Sequence, residues 1–291
     1  MQEHHDATES APATTFPPLC VIGAGTMASA ILDGAASGGV IDPDRVVVAD
    51  PSEGRRARFA RAEASASGAF DHLERLEADA DRAGVVLLAT KPQVFPEVAA
   101  EVAQRFASGE RSRLVVSILA GTTTEAILKG LGPSARVVRV MPNTPAQVRQ
   151  GMSAIAIHAS ATPDDLALVS RLFGAVGQTV ELSEDLIDAF TGVAGSGPAY
   201  VFLLVEALAQ AGESVGLSPE VAAKIARATV VGAGALLDAD ARPASELREA
   251  VTSKKGTTAA ALDTFEAGDL RGLVKRAVTA ARDRGRELGR A

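Results

Sequence analysis

Short runs of aliphatic and β-branched residues alternate with stretches of helical periodicity over the first half of the chain. The apolar runs predict strands at Leu19–Gly23, Val46–Asp50, Val85–Thr90, Leu114–Ile118, Arg136–Met141, Ser153–His158 and Gln178–Leu182. The helical patterns between them cover Thr26–Ser37, Glu53–Ala66, Val94–Phe106 and Thr124–Lys129. This alternation predicts an α/β fold with a doubly wound parallel sheet, which the last two strands extend.

The pattern changes from Ser183 onward, where strand signals end and only helical periodicity remains. Helices are predicted at Glu184–Val193, Pro198–Val215, Pro219–Asp238, Pro243–Ser253, Ala259–Glu266 and Leu270–Leu288. We therefore expect a disordered tail over residues 1–18, a sheet domain over 19–182 and an all-helical domain over 183–291. The broad apolar faces of such helices predict a homo-oligomer, in which a second copy covers the helical domain.

Composition and net charge disfavour several classes of protein. The 291 residues are 47% hydrophobic and carry a formal net charge of -7, which disfavours nucleic acid as a partner. The apolar runs, such as Ala199–Ala209 with its interrupting Glu206, are shorter than a membrane span requires, and the polar N-terminus contains no secretory core, so we expect a cytoplasmic protein. A single cysteine, Cys20, and four histidines without metal-ligand spacing predict neither a disulfide framework nor a metal site.

A glycine motif follows the first predicted strand and opens the first helix. It reads Gly23-Ala24-Gly25-Thr26-Met27-Ala28, the G-x-G-x-x-G/A pattern with alanine in the third small position. Gly23 permits a tight turn, Gly25 lets backbone approach a diphosphate, and Ala28 allows close packing of helix on strand. Because a helix N-terminus favours anions, the motif predicts a dinucleotide site.

The end of the second strand bears on the choice of dinucleotide. Asp50 stands where a carboxylate would accept hydrogen bonds from the adenosine ribose, which favours NADH. Ser52, Arg55 and Arg56 follow, and they could instead hold the 2′-phosphate of NADPH, although the arginines equally suit a solvated helix face. The sequence leaves both cofactors open.

Three further segments follow strand ends and are expected at the same edge of the sheet. They are Ala89-Thr90-Lys91-Pro92, Ser117-Ile118-Leu119-Ala120-Gly121 and Met141-Pro142-Asn143-Thr144-Pro145. Lys91 is either a solvated lysine or a contact to the nicotinamide ribose. Asn143 either binds near the nicotinamide or caps backbone in a rigid turn.

Two segments of the helical half contain polar or flexible residues. Ala194–Tyr200 is a glycine-rich hinge that leads into a long helix, and Val251–Thr258 is a polar turn between two helices. Thr257 and Thr258 are expected at a helix start, where free amides and hydroxyls suit a substrate carboxylate. Ordinary N-capping by Thr257 is the alternative.

Taken in order, these motifs resemble the pyrroline-5-carboxylate reductase family over nearly the whole chain after the tail. The matching segments are Gly23–Ala28, Ala89–Pro92, Ala120-Gly121, Met141–Pro145, Asp185–Asp188, Gly195–Tyr200 and the signature-like loop Ser253–Thr258. The resemblance implies a Rossmann domain joined to a helical domain that interlocks two subunits, in dimers that often assemble into decamers. It also implies the last step of proline biosynthesis, in which NADPH or NADH reduces the imine of 1-pyrroline-5-carboxylate to L-proline.

Site residues carry over by position. With Asp50 and Asn143 from the strand ends, the expected cofactor-binding residues are Ile22, Gly23, Ala24, Gly25, Thr26, Met27, Ala28, Ser52, Ala89, Thr90, Lys91, Pro92, Ile118, Leu119 and Ala120. The resemblance implies that Ser253, Gly256, Thr257 and Thr258 bind substrate from the partner subunit, with the Thr258 hydroxyl, as the catalytic group, near the ring nitrogen. No metal is implied.

Two positions depart from the family pattern. Lys255 stands where the family loop usually has glycine, so a left-handed backbone there would be strained. Asp50-Pro51 replaces the Asn-Arg pair of many NADPH-preferring members. The rival functions are a β-hydroxyacid dehydrogenase or ketopantoate reductase, with Lys224, Lys254 or Lys255 as acid or base, and a non-catalytic dinucleotide-binding relative.

Overall fold

The computed structural model describes residues 16–57, 63–65, 84–107 and 112–289. One eight-stranded sheet has the order β3-β2-β1-β4-β5-β6-β7-β8. Its strands are β1 (Leu19–Ile22), β2 (Val46–Ala49), β3 (Glu63–Ser65), β4 (Val85–Leu88), β5 (Arg113–Ser117), β6 (Ala135–Met141), β7 (Gly151–Ile157) and β8 (Gly177–Glu181). The helices of this part are α1 (Thr26–Ser37), α2 (Glu53–Arg56), α3 (Phe95–Ala107), α4 (Thr124–Leu131) and α5 (Pro163–Gly174). The predicted α/β fold is confirmed.

Alternate residues of the central strands pack on opposite faces of the sheet. Leu19 and Val21 of β1 belong to one buried cluster, while Cys20 and Ile22 belong to another. Helices therefore cover both faces, as the near-continuous apolar runs require. Burial raises the pKa of the Cys20 thiol to about 12, so this cysteine is a packing residue at neutral pH.

Two predictions about the sheet domain are wrong in detail. The helix expected over Glu53–Ala66 ends at Arg56, and Glu63–Ser65 pairs with β2 as a strand; residues 58–62 and 66 lie outside the described residues. The sheet is also not wholly parallel, because β7 runs antiparallel to β6. A loop of nine residues, 142–150, joins these two strands, and a parallel crossover needs a dozen or more.

Among the described residues, one compact unit runs to Ile187 and takes in Leu288, and a second comprises Asp188–Glu287. The changeover comes five residues after the predicted one, since Glu184 is bonded to Thr124 and Arg139 of the first unit. The packed chain also begins before the predicted residue 19, because Phe16 is only 2% exposed. Residues 1–15 of the predicted tail lie outside the described part.

The Glu184 carboxylate connects three segments of the first unit. Oε1 accepts the Thr124 amide at 2.7 Å and an Arg139 guanidinium N–H at 3.0 Å, and Oε2 accepts the Thr124 hydroxyl. Burial alone would raise the pKa of Glu184, but hydrogen bonds from Thr124 and the charge of Arg139 together hold it below its ordinary value. Ionised Glu184 therefore stabilises the folded chain above the ordinary glutamate pKa.

We expect Glu184→Gln to be less stable than the parent chain at neutral pH, where the carboxylate is ionised. The deficit should shrink as the pH falls through the lowered pKa of folded Glu184, because protonation then removes the same interactions from the parent. Urea midpoints at a series of pH values between about 3 and 7 measure this convergence. A deficit that is constant over that range would contradict the assignment.

The described residues of the second unit form helices joined by short turns, without a strand. It contains α6 (Ile187–Phe190), a π-helical turn at Thr191–Gly195, α7 (Gly197–Ser214), α8 (Pro219–Ala239), α9 (Ala244–Ala250), α10 (Thr257–Ala267) and α11 (Leu270–Leu288). The predicted all-helical character is confirmed, although the bounds of α9 and α10 differ from the predicted ones. Gly192 lies against the Val278 carbonyl, where a Cβ would approach to 2.8 Å, and its own carbonyl accepts the Tyr200 hydroxyl at 3.0 Å.

The helical run Glu184–Ser214 is long and apolar enough to cross a membrane by length and composition alone. This differs from the expectation, because the π-helical turn leads into α7 almost without a break and lengthens the run. Only 6% of an apolar 18-residue stretch of this run is buried within one chain, and Phe202 and Leu203 are more than 60% exposed. Such a surface needs a cover, and a membrane or another subunit would each provide one.

Candidate functional site

Four segments with predicted cofactor residues meet at the carboxyl edge of the sheet. Ile22 is in register with both Ala49 and Leu88, and Leu88 is in register with Ser117. The residues that follow these strands therefore lie side by side. They comprise the glycine motif from Gly23, Asp50 with Ser52, Ala89–Pro92 and Ile118–Ala120. Asn143 follows β6, the next strand of the sheet, by two residues.

Gly23 and Gly25 meet different demands in the glycine loop. Gly23 has φ +101°, and a Cβ there would lie 2.6 Å from the Ala89 carbonyl oxygen, so this residue allows β1 and β4 to turn closely together. Gly25 has φ −75° and would meet nothing within 4 Å. The space in front of Gly25 is therefore open, as the approach of a ligand to this backbone requires.

The first turn of α1 has the properties of an anion site. Gly25 is its N-cap, no side chain accepts a hydrogen bond at that cap, and no acidic residue lies in the first turn. Its leading amides and the positive end of the helix dipole therefore favour a phosphate. The residues of this loop fit the diphosphate of a dinucleotide.

Several predicted cofactor residues can contribute only backbone. The side chains of Ile22, Ala24, Ala28 and Leu119 are at most 3% exposed and belong to the apolar core. Thr26, Ser52, Lys91 and Ala120 are exposed at the edge, and Met27, Ala89, Pro92 and Ile118 are half-buried.

Asp50 has partners that sequence reasoning missed. Its Oδ2 accepts the Ala24 amide and its Oδ1 accepts the Ser52 amide, each at 2.9 Å. The carboxylate is 4% exposed. Asp50 therefore holds the glycine loop against the turn after β2, and no local pattern indicates this contact, whose partners are 26 residues apart.

Asn143 is also engaged within the fold. Its side chain is buried, and its Oδ1 accepts the Met152 amide at 2.9 Å. This contact matches the backbone-capping alternative for Asn143, in which the side chain fixes the Pro142–Gln150 turn.

The Thr90 hydroxyl is buried and has no hydrogen-bond partner among the described residues. It lies beside the glycine loop, since a Cβ on Gly23 would be 2.8 Å from the Thr90 amide nitrogen. A buried hydroxyl without a partner destabilises a fold, so a ligand that supplied one would bind more tightly.

We expect Thr90→Val to raise the free energy of unfolding of the ligand-free chain by about 1 kcal/mol, because valine keeps the shape and removes the unpaired hydroxyl. The same variant should bind NADPH several-fold more weakly if the cofactor supplies the missing partner. Urea denaturation and titration calorimetry measure the two effects. Unchanged NADPH affinity would remove Thr90 from the ligand contacts.

The second unit has its own uncapped helix N-terminus, at the predicted substrate turn. Gly256 is the N-cap of α10, so the interpretation of Thr257 as the N-cap is wrong. No side chain caps Gly256, and the first turn contains no acid. Ser253 packs its hydroxyl over Gly256, where a Cβ would collide with it. Ser253 and Thr257 are exposed and Thr258 is half-buried, so the hydroxyls and free amides lie together.

Lys255, which stands where the family loop usually has glycine, adopts the left-handed backbone conformation, with φ +60°. Lysine in this conformation is strained by roughly 1–2 kcal/mol relative to glycine. Replacement by glycine would increase stability by less than this strain, because glycine also gives the unfolded chain more conformational freedom.

We expect Lys255→Gly to raise the free energy of unfolding by up to about 1 kcal/mol, measured by chemical denaturation. Lys254→Gly is the matched control: Lys254 does not have a positive φ, so glycine there should lower stability by about 0.5 kcal/mol. Equal effects at the two positions would contradict the account of strain at Lys255.

Comparison with known proteins gives two family matches, one in the sheet part of the chain and one in the helical part. Residues 18–121 match the family described as NADP oxidoreductase, coenzyme F420-dependent. Residues 184–288 match the family described as pyrroline-5-carboxylate reductase dimerisation. The second match supports homo-oligomerisation.

Relatives that align with nearly the whole chain span both matched regions. A pyrroline-5-carboxylate reductase of Synechocystis is 40% identical over 94% of this chain and 98% of its own length. The solved structure of a pyrroline-5-carboxylate reductase from Coxiella burnetii has 34% identity and a TM-score of 0.84, over 94% of this chain and 99% of that one. A Plasmodium falciparum pyrroline carboxylate reductase with NADP bound has 27% identity and a TM-score of 0.77, over 94% and 98%. The chain therefore belongs to the pyrroline-5-carboxylate reductase family of NAD(P)H-dependent oxidoreductases.

Proposed function

We propose that this chain reduces the C=N bond of 1-pyrroline-5-carboxylate to give L-proline, with NADPH or NADH as reductant. The observation that carries the proposal is that two helices begin at a glycine N-cap with no capping side chain and no acid in the first turn, at Gly25 in the sheet unit and at Gly256 in the helical unit. Each favours an anion. A dinucleotide diphosphate suits the first, and the carboxylate of a small cyclic imino acid suits the second.

The glycine loop and the neighbouring strand ends would hold the cofactor. The amides after Gly25 donate to the diphosphate, and Asp50 fixes the loop that presents them. Ala89–Pro92 and Ile118–Ala120 line the same edge. When bound, the reduced nicotinamide supplies the hydride.

The turn Ser253–Thr258 would hold the substrate. The amides at the start of α10 donate to the substrate carboxylate, and the hydroxyls of Ser253 and Thr257 complete its hydrogen bonds. Thr258 Oγ1 accepts a hydrogen bond from the protonated ring nitrogen and so orients the imine carbon. We propose that this turn comes from the partner subunit.

The chain needs no strong acid for this reaction, because the ring imine is basic enough to arrive protonated. Its residues bind, orient and desolvate the reacting groups, so catalysis rests mainly on positioning. This requirement suits a turn made of hydroxyls and backbone amides.

For the assembly and its setting, we propose a cytoplasmic dimer through the helical unit, which associates further into a decamer. Small-molecule substrate and a second copy of the chain are its partners, rather than nucleic acid or membrane. The exposed Phe202 and Leu203 would then be covered by the other subunit.

The function is tested by following NADPH and NADH oxidation with purified chain in the presence of 1-pyrroline-5-carboxylate, ketopantoate or a β-keto acid. Turnover with the imine alone is expected. Turnover with a keto acid would favour the dehydrogenase rival, and dinucleotide binding without turnover on any substrate would favour a non-catalytic relative.

A further inference from the structure

The loop 118–123 joins β5 to α4 at the carboxyl edge of the sheet, beside the glycine loop. Its first residue is tied to the sheet, because the Ile118 amide donates to the Leu88 carbonyl at 3.0 Å. Inside the loop, the Thr122 amide donates to the Leu119 carbonyl at 3.4 Å, which is a long hydrogen bond. The course of the loop therefore depends on how its far end, where α4 begins, is held.

Glu184 holds this far end from 60 residues along the chain. Its Oε1 accepts the Thr124 amide at 2.7 Å, and its Oε2 accepts the Thr124 hydroxyl. Oε1 also accepts an Arg139 guanidinium N–H at 3.0 Å, and Arg139 is a buried residue of β6, the strand beside β5. One carboxylate therefore ties the end of the loop to the sheet.

The Glu184 carboxylate also satisfies the N-terminus of α4. The first turn of α1 contains no acid and has no capping side chain, so it is open to a phosphate. In α4, by contrast, the Thr123 side chain caps the helix, Glu125 lies in the first turn, and Glu184 accepts the Thr124 amide. Glu184 therefore acts on the loop and not on a ligand phosphate.

The middle of the loop packs against the end of the last helix. Gly121 has φ +74°, and a Cβ there would lie 3.4 Å from the Leu288 carbonyl carbon and from the Gly289 nitrogen. Closely packed main chain absorbs little displacement. We therefore expect a shift at Thr124 to change the position of Ala120, the exposed residue of the loop.

We propose that Glu184 is a positioning residue for the reduction: by holding Thr124 it fixes the loop 118–123, and through this loop it orients the nicotinamide toward the imine. The inference rests on the proposed function for the identity of the group that the loop faces. A positioning role affects the rate more than cofactor affinity, because the diphosphate is held elsewhere, at Gly25.

Two matched variants separate this role from a general loss of stability. Glu184→Gln replaces one acceptor oxygen with an amide group that cannot accept, so one of its donors loses its partner. Asp165→Asn is the control, because Asp165 accepts from Arg136 at 2.9 Å, also on β6 but at its opposite end from the carboxyl edge. Both variants should be less stable than the parent.

The first measurement needs no cofactor. It is amide hydrogen exchange of the ligand-free full chain, followed by mass spectrometry of peptides that cover residues 118–124. We expect these amides to exchange at least about tenfold faster in Glu184→Gln than in the parent, and at the parent rate in Asp165→Asn.

The second measurement is steady-state kinetics with NADPH and 1-pyrroline-5-carboxylate, at a temperature at which circular dichroism shows every variant to be folded. Glu184→Gln should lower kcat and kcat/KM for the imine by the same factor, at least about fivefold. Its NADPH affinity, measured by calorimetry, should stay within about twofold of the parent value. Asp165→Asn should have the kinetic constants of the parent.

A second pair of variants tests the contact from the side of the loop. Thr124→Val removes the hydroxyl that donates to Glu184 and should lower kcat in the same way. Thr124→Ser keeps the hydroxyl and should retain the parent rate. This pair decides the question even if Glu184→Gln does not fold.

Exchange at the parent rate over residues 118–124 in Glu184→Gln, or a parent-like kcat in Thr124→Val, would overturn the inference. Equal losses of kcat in Glu184→Gln and Asp165→Asn would also overturn it, because reduced stability would then explain both. A parent chain that does not reduce the imine would instead overturn the proposed function, and the exchange rates would still decide whether Glu184 fixes the loop.

Discussion

Gly23→Ala is expected to lower the free energy of unfolding by about 2–5 kcal/mol and to abolish NADPH binding. The residue has φ +101°, and the added Cβ would lie 2.6–2.8 Å from the backbone of Ala89 and Thr90. Left-handed strain adds about 1–3 kcal/mol, and overpacking against backbone adds a similar amount. Relief requires β1 and β4 to separate, which also displaces the amides of the glycine loop. Urea denaturation and calorimetric titration measure the two losses.

Gly25→Ala is the matched control for Gly23→Ala, two residues along the same loop. Its φ is −75° and its Cβ would meet nothing within 4 Å, so stability without ligand should change by less than about 0.5 kcal/mol. NADPH affinity should nevertheless fall at least about tenfold, because the methyl group occupies the space that the diphosphate needs. Parent-like affinity in Gly25→Ala would show that the diphosphate does not lie on this loop.

Thr258→Val is expected to lower kcat by about 10- to 100-fold while NADPH affinity stays the same. Valine keeps the shape of the side chain and removes only the hydroxyl that would accept from the charged ring nitrogen. A hydrogen bond to a charged group contributes about 1.5–3 kcal/mol, which corresponds to that range of rates. Steady-state kinetics with 1-pyrroline-5-carboxylate and cofactor titration measure the two quantities separately.

Thr264→Val provides the control on the same helix. Thr264 is exposed and donates its hydroxyl to the Ala260 carbonyl at 3.0 Å, so its removal should leave turnover unchanged. If Thr258→Val turns over as fast as Thr264→Val, Thr258 has no part in the reaction.

Local sequence signals were sufficient to predict helix α1, which follows the cofactor loop. The sequence predicts α1 over Thr26–Ser37 and α11 over Leu270–Leu288, and both bounds are those of the structure. In each case apolar periodicity and the flanking residues indicate the same limits. Agreement of independent local signals makes such elements predictable.

Other features depend on contacts that no local pattern encodes. The strand Glu63–Ser65 is three residues long and exists through its pairing with β2, so helical propensity over Glu53–Ala66 was misleading. The direction of β7 follows from the short loop after Met141. Helix α5 was not predicted, although Thr162 and Asp165 form a capping box at its start, because the apolar runs on either side dominated the pattern.

Some features of the candidate site were predictable from the sequence, and others required the structure. Strand ends in a doubly wound sheet place Gly23, Ala89 and Ile118 at one edge, and the sequence predicts this from topology alone. The partners of Asp50 and Asn143 come from the folded loops, so their side-chain environments required the structure. Lys255 is the opposite case: the glycine of the family pattern indicated where a left-handed backbone would be strained, and the structure has φ +60° there.

A crystal structure of the chain with NADPH and L-proline tests the central claim most directly. We predict that the diphosphate accepts hydrogen bonds from the amides that follow Gly25, and that the proline carboxylate lies on the amides of Thr257 and Thr258 beside the nicotinamide. A dinucleotide bound away from Gly23–Ala28, or a Ser253–Thr258 turn remote from every nicotinamide in the assembly, would contradict the account.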